Sequence, residues 1–279
     1  MTRSISLAVL TSLATLVSLP AGAADPTSVD QISATPAAST VTVTGSATFR
    51  DVPVQIGTDG SGDAQTAGTD LTKASISAPV ANRVRFRLDI ADPLPELSSS
   101  PAAVYLWPIT VDGNNTGLNL HASRARVNTN PTTPHLRVVT IAAGTITTVA
   151  NVNGTMAGGI VEWDVPMSTI DAQAGSVVTT EGLITVIPGI SGVGTLNGAN
   201  FDDMFAEDPY TVPSRTVLLG MGAAGDPDGA ISLNIPATVT PTGSFAADLP
   251  KPATGDYRVL AKACFGPQSC GTGSANFTV

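Results

Sequence analysis

Asp59, Ser61, Asp63 and Asp70 occupy positions one, three, five and twelve of DGSGDAQTAGTD. Helix-flanked calcium loops place oxygen ligands at these positions, and calcium takes about six to eight oxygens. Here position six is Ala64, where such a loop needs glycine, and position twelve is an aspartate, not a bidentate glutamate. The flanking sequence is not helical in pattern. Two readings stand: a non-helical calcium loop, or a turn between two strands. Asp226-Pro227-Asp228-Gly229 and the set Asp202, Asp203, Glu207 and Asp208 are further acidic turns, better explained as solvated surface.

The remaining chemistry-bearing residues are few. Sugar recognition needs exposed aromatic faces, and Trp107 and Trp163 are the two tryptophans. Trp163 alternates in phase with Val161 and Val165, which predicts a core position. Tyr105 and Trp107 share one face of VYLWPITV, and the other face is also apolar. They are either core or a ligand platform, and we carry both residues as ligand-binding candidates. His121 lies opposite Leu118 and Leu120 on LNLHASR, which predicts a solvent-facing position, and His135 follows NPTTP. There is no G-x-S-x-G elbow and no H-E-x-x-H. A Ser-His-Asp set assembles in space rather than in sequence, so the motif search leaves a hydrolase as an alternative. Cys264 and Cys270, in CFGPQSC, are expected to form a local disulfide across a turn. Their spacing does not fit a redox or metal pair.

These residues need strands to position them. In RVRFRLDIA, Val84, Phe86, Leu88 and Ile90 alternate with Arg83, Arg85, Arg87 and Asp89, the period-two pattern of a half-buried strand. IVEWDVP and AISLNIPATV repeat it. TVTVTGSATF, VYLWPITV, LNLHASRARV, LRVVTIA, GLITVIP, RTVLLGM and DYRVLAKAC add further candidates, separated by turn sequences such as VDGNNTG, NPTTP, NVNG and GDPDG. A single short helical stretch is expected after Pro166, stopping at Gly175. The predicted class is all-β, an antiparallel β-sandwich followed by a smaller one. The division is a signal peptide over 1–23, a sandwich over 24–188, a linker over 189–212 and a disulfide-clipped sandwich over 213–279. An alternative pairs TVTVTGSATF with the C-terminal strands, which makes the larger sandwich an insertion.

Composition and the chain start bound the setting. Arg3, the apolar run from Ile5 to Leu19, Pro20 and Ala21-Gly22-Ala23 read as a secretory signal peptide cleaved near Ala23. No second apolar run is long enough for a membrane span. The formal net charge is −9, which repels phosphate backbones and argues against nucleic acid. Charged residues are only 13 % of the chain, so Ser, Thr, Asn and Gly must cover much of the surface.

Several of these segments, in order, resemble the DOMON and glucodextranase C-terminal type of β-sandwich, related to family-nine carbohydrate-binding modules. They are DGSGDAQTAGTDLTKASIS, RVRFRLDIADPLP, VYLWPITVDG and VEWDVPMSTIDAQAGS. The C-terminal TGSFAADLPKPATGDYRVLAKAC and SANFTV resemble bacterial Ig-like modules. The resemblance implies a sandwich with a binding role, and sandwiches of this type can hold calcium near such loops. The expected function is secreted, non-catalytic binding or scaffolding at a cell surface, with a glycan or extracellular protein as partner and calcium as the one candidate cofactor. An extracellular hydrolase and a purely structural surface or matrix component are the alternatives. Binding predicts a concavity, an enzyme predicts converging acid, base or histidine groups, and a structural protein predicts an exposed sheet edge or apolar patch.

Overall fold

Burial in the strand Arg83–Ile90 follows its sequence residue by residue: Val84, Phe86, Leu88 and Ile90 are buried and the residues between them are not. The computed structural model describes residues 27–62, 70–91, 104–114, 117–123, 135–143, 145–180, 182–186, 200–204, 208–266 and 269–279. Among them every strand pairing is antiparallel, and no α-helix occurs. The expected helical stretch after Pro166 is a single 3-10 turn, Met167–Thr169. No described helix is long and apolar enough to cross a membrane.

The larger sandwich packs two sheets. One runs Asn153–Ala157, Ile160–Pro166, Arg83–Ile90, Leu71–Ser77, Val54–Thr58. The other runs Thr145–Asn151, His135–Ala142, Leu118–Ser123, Val104–Pro108, Leu183–Val186, Asn200–Met204. Their shared core centres on Trp107, with Phe86 at 5.2 Å and Trp163 at 6.2 Å between ring centroids, both edge to face. A small sheet of Tyr210–Thr211, Val177–Thr179 and Thr110–Val111 adds to this core. Asn200–Met204 and Tyr210–Thr211 therefore supply strands, although their sequence was read as linker. The outer face of the five-stranded sheet is polar. Arg83 pairs with Asp164 at 2.9 Å, Arg85 with Glu162 at 3.3 Å and Arg87 with Asp89 at 2.7 Å.

The second sandwich is built from both ends of the described chain. Ser28–Pro36, Thr40–Thr48, Ser244–Pro250 and Thr238–Val239 form one sheet. Ile235–Pro236, Arg215–Ala223, Asp256–Phe265 and Ser269–Thr278 form the other. Thr40–Ser46 lies in register against Ser244–Pro250, and Val41, Val43 and Ala47 share a core with Val217, Leu219, Phe245, Leu249 and Val259. The strand TVTVTGSATF thus joins the C-terminal strands, the alternative raised from sequence, and departs from the division at residues 24–188. AISLNIPATV also departs from a single strand. Ile235–Pro236 pairs in one sheet and Thr238–Val239 in the other, so the segment turns a corner. Pro236 has no N–H for a continuous ladder.

Cys264 and Cys270 face each other across the last hairpin and are disulfide-bonded. Beside them, Ser28–Pro36 closes over Ser269–Thr278. The Thr27 backbone N–H donates to Ser269 Oγ at 3.0 Å, and a Cβ at Gly271 would overlap the Thr27 carbonyl. Glycine is needed there because backbone meets backbone. We predict that Gly271→Ala destabilises the protein by about 1–3 kcal/mol, the usual range for overpacking. A denaturant midpoint unchanged from the parent would contradict this contact.

Candidate functional site

The chain passes between the two sandwiches twice, through residues 49–53 and 212–214. Arg215 holds the crossing together. Its guanidinium carbon sits 5.6 Å from the Phe49 ring centroid and 5.5 Å from that of Phe265. Arg215 Nη1 also donates to the Pro241 carbonyl at 3.0 Å. Cation–π contacts of this kind contribute about 0.5–2 kcal/mol each.

Two clefts flank the crossing. One, of about 520 Å3, is bounded by Val80, Met167, Pro213, Arg215, Pro241 and Phe265. The other, of about 430 Å3, is bounded by Arg50, Asp51, Val52, Val54, Tyr210, Thr211, Phe265 and Ser269 among others. Three of the exposed large apolar side chains gather here: Val52 at 56 % and Val54 at 41 % on the second cleft, and Val80 at 50 % on the first.

Asp51 and Arg50 are the charged residues lining the second cleft. Burial pushes the Asp51 carboxyl above the ordinary range, against hydrogen bonds from the Ala78 backbone and the Ser77 side chain and against the charges of Arg85 and Arg215. Tyr210 is buried at 3 % exposure, and its hydroxyl has no hydrogen-bond partner among the described residues. Burial, and then the negative charge of Asp51, push that hydroxyl far above its ordinary range, so it stays protonated. An unsatisfied buried hydroxyl is a cost of about 1–3 kcal/mol, and it lies in a residue bordering the cleft.

The candidates chosen from sequence are placed elsewhere. Tyr105 and Trp107 are both 0 % exposed, so neither can present a ring to a ligand. Val104–Pro108 is an interior strand with both faces covered: Tyr105 and Trp107 face the main core, and Val104 and Leu106 pack with Ile141 on the other side. His121 is not solvent-facing either. It is 2 % exposed, its Nδ1 lies 3.3 Å from Arg137 Nη2, and its carbonyl accepts the Trp163 indole N–H at 3.1 Å. Strand register sets His135 opposite Ser123, and their side chains lie outside the described residues.

Of the acidic stretch, Asp59, Ser61 and Asp70 are described and Asp63 lies outside. Asp59 Oδ1 accepts the Gly60 N–H at 2.8 Å. Asp70 is 3 % exposed; its Oδ2 accepts the Gly62 N–H at 2.6 Å and its buried Oδ1 has no hydrogen-bond partner among the described residues. Among the described residues, no group of three or more His, Cys, Asp or Glu could hold a metal ion. Asp226 and Asp228 serve their own turn: Asp226 Oδ2 accepts the Ala223 N–H at 2.8 Å, and Asp228 pairs with Arg258 at 2.7 Å.

Asp51, Tyr210 and Arg215 were not singled out by sequence. RDVPV and DPYTVPSR carry no periodic signal, and the residues meet only because two distant segments cross. The chain matches no family model, no curated protein and no solved structure.

A pH dependence follows from Asp51. Its raised folded-state value means that the folded protein holds this proton more tightly than the unfolded chain, whose aspartates titrate near ~3.9. Asp51 therefore lowers stability as pH rises from about 4 through its folded value, and its effect levels off above that. The difference in unfolding free energy between the parent and Asp51→Asn should change across this window and be flat at higher pH. Parallel curves throughout would show that Asp51 is not held in a desolvating site.

Proposed function

We propose that this chain is an exported, non-catalytic binding or scaffolding protein, built on a DOMON-like sandwich, whose ligand docks in the cleft between its two sandwiches. The observation that carries the reading is the second cleft itself. It is concave, it lies at an inter-sandwich boundary, and it combines exposed Val52 and Val54 with Arg50, Asp51 and Thr211. Ligand sites favour such boundaries and such mixtures of apolar wall and a few polar groups. The leader-like start and the Cys264–Cys270 disulfide support export to an oxidising compartment. The expected ligand is a glycan, with an extracellular protein as the other partner class.

An isotope-labelled sample titrated with neutral oligosaccharides tests this. Amide shifts should concentrate at Val52, Val54, Tyr210 and Thr211, and Val52→Asp at the rim should weaken binding at least tenfold, about 1.4 kcal/mol. Shifts confined to another surface would refute the cleft. Hydrolysis of the added oligosaccharide would refute the non-catalytic reading, and silence toward every oligosaccharide would remove glycans as the ligand class.

A calcium ion at the acidic stretch belongs to the same reading, supported by the buried Oδ1 of Asp70, without a hydrogen-bond partner among the described residues, and by the Asp59 turn. Calcium at a hundred times its dissociation constant stabilises a folded protein by about 2.7 kcal/mol. The melting temperature should rise by several degrees in calcium relative to a chelator, and Asp70→Asn should abolish the rise. An identical melt in both conditions would leave the stretch as a strand connection.

A further inference from the structure

Asp256–Phe265 and Ser269–Thr278 pair in unbroken register, from Asp256 opposite Thr278 to Phe265 opposite Ser269. Cys264 and Cys270 form the pair next to the last. Successive side chains of a strand point to opposite faces. Ala261 and Ala263 turn into the core of the smaller sandwich, and Phe265 is buried. Cys264 and Cys270 therefore stand on the other face. There Thr216, opposite Cys264, and Thr272, two residues along from Cys270, are exposed, and both cysteines are half-buried. The bond fills no part of the core. It also closes a short loop that the ladder already closes, and short loops gain least from a cross-link. Strand pairing and the core, rather than the sulfur bridge, hold the sandwich together.

The bond does hold the last pair of the ladder, Phe265 and Ser269, and that pair carries the crossing. The Phe265 ring lies 6.5 Å from that of Phe49 and 5.5 Å from the Arg215 guanidinium carbon. Ser269 Oγ accepts the Thr27 N–H at 3.0 Å and shares a hydrogen bond with Thr27 Oγ1 at 2.8 Å. Thr27 Oγ1 in turn accepts the Arg50 N–H at 3.3 Å. Beside them the Gly266 N–H donates to the Ser214 carbonyl at 2.9 Å. Both passages between the sandwiches, residues 49–53 and 212–214, are thus fastened to one end of one hairpin. Phe265 borders both clefts, and Gly266 and Ser269 border the second.

We propose that the Cys264–Cys270 bond is a redox-sensitive catch on this crossing: reduction by a dithiol frees the last pair of the hairpin and loosens both clefts, while the two sandwiches stay folded. A thiolate of the dithiol attacks one cysteine sulfur, forming a mixed disulfide and releasing the other cysteine as a thiolate. The second thiol of the reductant then displaces the first cysteine. Two electrons and two protons pass to the protein, and the reductant leaves as its own disulfide. The chain has two cysteines, so no other bond changes. Ends of ladders open more easily than their middles, and without the bond the Phe265–Ser269 pair is such an end. The consequence for ligand affinity rests on the docking site proposed for the second cleft; the loosening does not.

Amide hydrogen exchange of the full chain, with and without dithiothreitol and with no ligand added, tests the proposal. Reduction should speed exchange at Thr27, Arg50 and Gly266 by about tenfold or more, leave Arg83–Ile90 and Thr40–Thr48 protected, and reverse on reoxidation. The double variant Cys264→Ser, Cys270→Ser should show the same pattern without reductant. A bond that dithiothreitol leaves intact in the folded protein overturns the proposal, as does reduction that changes none of the three amides. Loss of protection along Thr40–Thr48 also overturns it, because the bond is then a staple of the sandwich. Oligosaccharide binding is read separately in both redox states: its absence removes the docking site, and the exchange result still decides the catch.

Discussion

The ladder between Thr40–Ser46 and Ser244–Pro250 is the constraint on which the architecture depends. It joins segments roughly two hundred residues apart; Thr42 Oγ1 donates to Asp248 Oδ1 across a separation of 206 residues. Closing so long a loop has an entropic cost that grows only slowly with length, and the shared core of Val41, Val43, Leu249 and Phe245 offsets it. The larger sandwich hangs inside that loop. Its entry and exit must leave the smaller sandwich side by side, so residues 49–53 and 212–214 cross at one place. Arg215 between Phe49 and Phe265 is the consequence, and so are the two clefts beside it.

Sparse charge shapes the surfaces that remain. On the outer face of the five-stranded sheet, Arg83, Arg85 and Arg87 are neutralised by Asp164, Glu162 and Asp89. Such partly exposed pairs contribute little stability, about 0–1 kcal/mol each. The partly desolvated carboxyl of Asp51 is instead a product of the fold, which brings it to the crossing between the sandwiches.

Legibility differed by element for physical reasons. Arg83–Ile90 and Ile160–Pro166 each have one face on the core and one in solvent, so alternation in sequence becomes alternation in burial. Val104–Pro108 is covered on both faces, and an apolar run cannot say which side meets which core. That is why Tyr105 and Trp107 were readable as either platform or core. His121 was misplaced for the same reason: its strand is interior to the sheet, and its outward face is covered as well. Asn200–Met204 and Tyr210–Thr211 looked like linker because glycine and acidic residues dilute their pattern, yet they pair with Leu183–Val186 and Val177–Val178.

Local chemistry is what the sequence determined by itself: the all-β class, the half-buried strands, the turns between them, the clipped hairpin at Cys264 and Cys270, and the acidic surface. Each depends on side-chain period, backbone preference or a short covalent reach, and each is complete within ten or so residues. The tertiary structure alone decided which sandwich owns Thr40–Thr48, which faces of the interior strands are covered, and that Asp51, Tyr210, Phe265 and Arg215 meet. Those outcomes depend on closing a loop across most of the chain, and the free energy that selects that closure belongs to contacts no local stretch contains.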